Sequence, residues 1–172
     1  MVDANTVLIP NKGLPDMVFQ AEYTHFFVTD FSWMFTEDFY ELLNEVLKIV
    51  KVDAKIEVLK PNAEWYKSEG MPYNFELNST NYHLYPGIML VEEDNSIESP
   101  WYTGKTFLIT ACDASWTIYG ERSYEVIIFA AKSAHVMGIF KNIFEDYVYD
   151  LSEEDYGPVT NNIIQTYASR TS

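Results

Sequence analysis

The chain is short of cysteine, of cations, of long apolar runs and of clustered glycine. Cysteine occurs once, at Cys112. A lone thiol excludes an intramolecular disulfide and any CxxC metal or redox motif. It fits a reducing compartment. The longest purely apolar run, Val126 to Ala131, falls far short of the ~20 residues a membrane-spanning helix needs. The segment Met1-Val2-Asp3-Ala4-Asn5 has neither a basic nor an apolar stretch and does not read as a signal peptide. A cytoplasmic location is the resulting expectation. The seven glycines are dispersed, so neither a phosphate loop nor GxGxxG is present, and GxSxG is missing too.

Cations are the scarcest group relative to expectation. Eleven Lys and Arg face 26 Asp and Glu, for a formal net charge of -15 and a pI near 4.4. Phosphate contacts need Lys and Arg, so direct nucleic-acid binding is excluded as an expectation, as are anionic membrane surfaces. A basic protein partner fits best. The hydrophobic fraction is 48%, too high for the charge to imply disorder. A chain of 172 residues is long enough to bury roughly 70% of its unfolded surface, and residues 1–172 are expected to form one domain.

Turn signals and hydrophobic periodicity divide the chain. Met17 to Val28 is aromatic and β-branched and reads as a long strand. Thr36 to Lys51 reads as a helix: Thr36 caps it, Glu37 and Asp38 suit the positive dipole end, and Phe39, Leu42, Leu43, Val46, Ile49 and Val50 make one apolar face. Asp53 to Lys60 alternates as a strand does, a short strand follows the loop after Asn62, and Tyr82 to Val91 reads as another. Lys105 to Cys112, Ser115 to Tyr119 and Tyr124 to Ala131 read as consecutive strands, with Gly120 at the turn between the last two. A helix opens at Ser133 and runs through Tyr147 and Val148, and a short one spans Val159 to Tyr167. The expected class is α+β: a twisted, mostly antiparallel sheet of about 5–6 strands, two amphipathic helices on one face and a short C-terminal helix.

No constellation names a reaction. His25, His83 and His135 are isolated from one another, and no metal or cofactor is expected. Cys112 has Asp113 beside it, which should raise rather than lower its pKa, and a cysteine ending an apolar strand is expected to be buried. Acids are abundant enough for a carboxylate pair to arise by chance, but no DxDxDG calcium loop occurs.

The acid is distributed unevenly. Between Gly13 and Leu47 there is no Lys or Arg, while Asp16, Glu22, Asp30, Glu37, Asp38, Glu41 and Glu45 all occur. The densest cluster is Glu145, Asp146, Asp150, Glu153, Glu154 and Asp155. Placed at the C-terminal end of a helix, it would oppose the dipole. Such a face either keeps the protein soluble or docks a basic partner. Trp65-Tyr66 and Trp101-Tyr102 sit in or beside loops and are candidate interface anchors, whereas Trp116 is expected to plug the core.

These features favour a non-catalytic acidic binding module, of the kind that neutralises a basic, nucleic-acid-acting toxin or enzyme as an immunity protein or inhibitor does. Two other readings stand beside it. One is a nucleic-acid mimic, which needs the acids gathered on one side. The other is a small enzyme or ligand binder with a pocket lined by some of the 13 tyrosines.

Overall fold

The computed structural model describes residues 4–61, 74–90, 104–149 and 155–169. Six strands form one antiparallel sheet: β1 His25–Asp30, β2 Ala54–Pro61, β3 Asn74–Leu77, β4 Gly104–Ala111, β5 Trp116–Glu121 and β6 Val126–Ala131. Their order across the sheet is β1-β6-β5-β4-β2-β3. The pairs β4–β5 and β5–β6 are hairpin neighbours, while β1 joins by long-range pairing to β6, with Phe27 opposite Phe129.

Three main helices pack on this sheet: α1 Glu37–Val50, α2 Ala134–Ile143 and α3 Pro158–Ala168. Each begins where local chemistry favours it. The Thr36 hydroxyl accepts the Phe39 N–H at 3.2 Å, and the Ser133 hydroxyl accepts the Val136 N–H at 3.2 Å. Pro158 opens α3, where its missing N–H costs nothing.

Two cores lie on opposite faces of the sheet. Strand β6 shows why: Ile127, Phe129 and Ala131 join the core beneath α1 and α2, and Val126, Ile128 and Ala130 join the core beneath α3. A strand covered on both faces has no polar side to present, so it reads as an unbroken apolar run rather than as alternation. Phe129 stacks on Phe27 at 4.2 Å between centroids and meets Phe140 of α2 at 5.4 Å. On the other face, Tyr167 of α3 packs edge-on against Phe26 at 5.2 Å and Phe19 at 5.9 Å. The C-terminal helix is therefore the cover of the second face.

Several segments differ from the expectation, each for a tertiary reason. The long strand expected from Met17 is only His25–Asp30. The residues before it pair with the N-terminal segment instead: Ile9 N–H donates to Val18 O, and Gln20 N–H to Val7 O. Tyr82–Leu84 and Tyr85–Leu90 are helical, not a strand. Asn78 starts the turn by accepting the Thr80 and Asn81 N–H groups, and Pro86 suits a first helical turn. Gly120 is inside β5 rather than at the turn, which falls at Arg122–Tyr124 with Glu125 in the left-handed region. A Cβ on Gly120 would lie 2.8 Å from Met34 Cε and 3.1 Å from Phe31 Cε2. Helix α2 stops at Ile143, because the chain beyond Phe144 is drawn onto the open edge of β1, where Tyr149 N–H donates to Val28 O at 2.8 Å.

Candidate functional site

Most of the described acid has no cationic partner. Ion pairs join Lys12 to Asp16, Lys55 to Glu57 and Lys132 to Glu22. Glu121 is buried, and its nearest partners are hydroxyls. The Thr106 and Tyr119 hydroxyls donate to its Oε2 at 2.8 and 3.2 Å, and burial together with this carboxylate pushes the Tyr119 phenol up. The exposed face of α1 is different. Glu37, Asp38, Glu41 and Glu45 are all exposed there. Glu37 and Asp38 complement the positive end of the helix dipole. Glu41 and Glu45 have no such role. They sit four residues apart, on neighbouring turns of one face, where like charges repel.

The acidic cluster expected near the end of α2 is divided by the structure. Glu145 and Asp146 lie on the 3-10 turn Glu145–Tyr147, past the end of the helix, and both are exposed. That turn is pinned by Phe144 in the core and by the Trp33 ring against Tyr147. Asp155 instead belongs to the start of α3. Its Oδ1 accepts the Gly157 N–H at 2.9 Å and the Asn161 side-chain amide at 2.7 Å, and these bonds hold its carboxyl below the usual value. Negative charge is favoured at a helix N-terminus, so the opposition to a dipole expected of this cluster does not apply to Asp155. Beside Asp155, the Tyr156 ring stacks on Tyr149 at 4.1 Å between centroids. Asp150, Glu153 and Glu154 lie outside the described residues, as do Trp65, Tyr66, Trp101 and Tyr102. Trp116 is fully buried against Phe140 and belongs to the core.

Two concavities lie near these residues. One is an apolar groove of about 340 Å³ between α1 and α2. Ile49 of α1 faces Ala134, Gly138, Ile139 and Ile143 of α2, and His135 and Asn142 supply the polar atoms. The helical periodicity assigns Ile49 to the buried face of α1, but its side chain is 56% exposed. At 100° per residue it falls to one side of the arc centred on Phe39, Leu43 and Leu47, in line with Leu42 and Glu45. The signal was present in that angular offset. Nothing in the sequence placed α2 beside it.

The other concavity, about 140 Å³, lies between the N-terminal segment and the β4–β5 hairpin, with Lys12, Thr106 and Tyr119 on its walls. It is well below the several hundred Å³ of ordinary ligand pockets. Among the described residues, no group of three or more His, Cys, Asp and Glu converges as a metal site. Cys112 is exposed rather than buried, because the chain turns into solvent directly after Ala111. Partial desolvation and the nearby Asp53, Glu76 and Asp113 carboxylates raise its thiol pKa, the opposite of what a nucleophile needs. No described helix is long and apolar enough to cross a membrane.

Comparison with known proteins returns no protein-family model, no curated protein and no solved structure that matches the chain.

Proposed function

We propose that this chain is a non-catalytic, acidic protein-binding module: an immunity- or inhibitor-type protein that covers the surface of a basic toxin or enzyme acting on nucleic acid. The observation that carries this reading is the exposed face of α1, where Glu41 and Glu45 stand on neighbouring turns, in no ion pair among the described residues and without a capping role, with Lys48 as the one cation of that helix. Each like-charge neighbour of this kind costs a helix about 0.2–0.5 kcal/mol, which a Glu–Lys pair would instead have contributed. The exposed Glu145 and Asp146 add to the same excess. An enzyme that grips phosphate must present Lys and Arg, and an acidic protein can occupy that surface. Opposite fields also speed the encounter at low salt.

The mimicry reading is weaker. Its premise is acid gathered on one side, whereas exposed acids are found on α1, after α2 and at the start of α3.

The test is association with a basic protein, of pI above about 9, recovered from the native host and then purified. Binding measured by stopped flow at increasing salt should slow steeply. The double reversal of Glu41 and Glu45 to Lys should cut the association rate about tenfold or more at low salt. Salt-independent binding, or a small uncharged metabolite as the sole ligand, would sink the proposal.

A further inference from the structure

Glu121 is a carboxylate in a place that ordinarily calls for a cation. It is 7% exposed, and among the described residues no Lys, Arg or His pairs with it. A buried charge is tolerated when it is paired and hydrogen-bonded. Here the β4–β5 register supplies hydrogen bonds alone. Thr106 stands opposite Glu121, and Tyr119, two residues before Glu121, shares its face of the sheet. Both hydroxyls donate to Oε2, at 2.8 and 3.2 Å, while Oε1 accepts only the Ser123 N–H, at 3.5 Å.

A hydroxyl has one proton and two lone-pair positions. With both protons committed to Glu121, Thr106 and Tyr119 have only lone pairs to offer elsewhere. The carboxylate behind them makes those lone pairs more negative. Both residues line the concavity of about 140 Å³ between the N-terminal segment and the β4–β5 hairpin, where Leu8, Ile9, Pro10 and Leu59 supply apolar walls. An occupant that satisfies this surface is apolar along its stem and a hydrogen-bond donor at its tip. An anion would meet two acceptors and a carboxylate.

The neighbouring charges fix the sign. Lys12 lines the wall, but it is half exposed and its Nζ is 3.2 Å from Asp16. Lys60 stands opposite Thr106 in the β2–β4 register and opposes a cation. Lys55 is paired with Glu57, and the Arg122 guanidinium lies over Phe31 in the core of the other face. Water screens Lys12, whereas Glu121 acts through a buried, low-dielectric interior, which gives its charge the larger effect.

We propose that this concavity is the anchor pocket for one arginine side chain of the basic partner. A cavity of about 150 Å³ holds a molecule of about six heavy atoms, such as benzene. Arginine beyond its Cβ has as many, and lysine has fewer. The planar guanidinium offers several N–H donors to the two hydroxyl oxygens and gives up water more readily than an ammonium does. Arginine is also among the residues that most often anchor interfaces. The inference rests on the reading of the chain as an acidic binding module and names the residue it grips.

The probe is N-acetyl-arginine N-methylamide, titrated into the ¹⁵N-labelled protein and followed by NMR. Saturable shifts are expected at the amides of Ile9, Leu59, Thr106 and Tyr119. The norleucine analogue, which has the apolar stem without the donors, should bind at least about tenfold more weakly. Tyr119→Phe removes one acceptor and should weaken arginine binding about fivefold or more. Asn5→Trp obstructs the pocket from an exposed position of its wall and should weaken it as much, which keeps the test decisive if Tyr119→Phe unfolds. Lys60→Met should strengthen binding, because it removes a like charge. No saturable shifts, equal affinity for norleucine, or indifference to both Tyr119→Phe and Asn5→Trp would each overturn the pocket. Weaker binding by Lys60→Met would overturn the cationic occupant. Agmatine bound more than about tenfold tighter than the blocked arginine would identify a free small guanidine as the ligand and overturn the anchor. If a basic partner protein binds Asn5→Trp normally yet loses affinity on reversal of Glu41 and Glu45, the anchor fails and the broader acidic-interface reading stands. If its binding ignores both changes and salt, the broader reading fails as well.

Discussion

Replacing Gly138 by alanine should make the protein more stable. In a helix interior the exchange is worth about 0.8–1.0 kcal/mol through backbone entropy and helix propensity. Nothing within 4 Å opposes the added methyl, so no packing penalty offsets the gain. Unfolding entropy of about 2.1 cal/mol/K per residue gives roughly 0.36 kcal/mol/K for a chain of 172 residues. The expected rise in Tm is therefore about 2–3 °C, measured by circular dichroism or calorimetry at fixed protein concentration. Gly120→Ala is the matched control. Its Cβ would press on Met34 Cε at 2.8 Å and the Phe31 ring at 3.1 Å. Met34 can swing aside more easily than the ring, so a loss of about 1 kcal/mol or more, and a Tm lower by ~3 °C or more, is expected. If Gly138→Ala lowers Tm, the fold itself needs the glycine.

Three further outcomes follow from particular residues. Tyr40 is fully buried and its hydroxyl has no hydrogen-bond partner among the described residues, so Tyr40→Phe should stabilise by about 1 kcal/mol in urea unfolding; a clear loss would reveal a bond to that hydroxyl. Raising NaCl from about 20 mM to 0.5 M should increase Tm, because salt screens the mutual repulsion of the surplus carboxylates; a falling Tm would mean that the few ion pairs outweigh it. Asp155 has a folded-state pKa below its unfolded value because Gly157 N–H and Asn161 hold its charged form. Its contribution is present above the unfolded pKa and is lost as pH falls through the folded one. An NMR titration should place its midpoint below 3.8, and Asp155→Ala should speed amide exchange at Gly157; a midpoint at or above the ordinary value would contradict the capping geometry.

Much of the fold was legible where local chemistry and burial agree. Thr36 with Glu37 and Asp38, and Ser133 before an apolar face, locate the starts of α1 and α2 within a residue. The β4–β5–β6 meander was readable because Phe107, Ile109, Ile118, Ile127 and Phe129 are strand formers that end in one core. Misreadings arose where aromatic residues serve a loop. Phe19 and Tyr23 have strand-like composition but pack the second core from an irregular segment. Tyr82 and Tyr85 take helical backbone because Asn78 and Pro86 set the turn. The end of α2 depends on Tyr149 reaching β1, a contact 121 residues away in sequence, which no local pattern encodes.

The candidate site was legible in part. The cation-free tract through α1 is visible in sequence, and the structure exposes its glutamates. The division of the later cluster was not visible, because Asp155 looks like its neighbours until its bonds to Gly157 and Asn161 are seen. The groove was hidden for the same reason: it exists only once Ile49 and Gly138, 89 positions apart, face one another.

The most direct measurement of the central claim is the salt dependence of association between this protein and a purified basic partner, for wild type and for the double reversal of Glu41 and Glu45. The account predicts fast binding by wild type that slows steeply with added salt, and binding by the variant that is about tenfold slower or worse at low salt and falls less steeply as salt is added. Equal rates and equal salt slopes for the two proteins would contradict it.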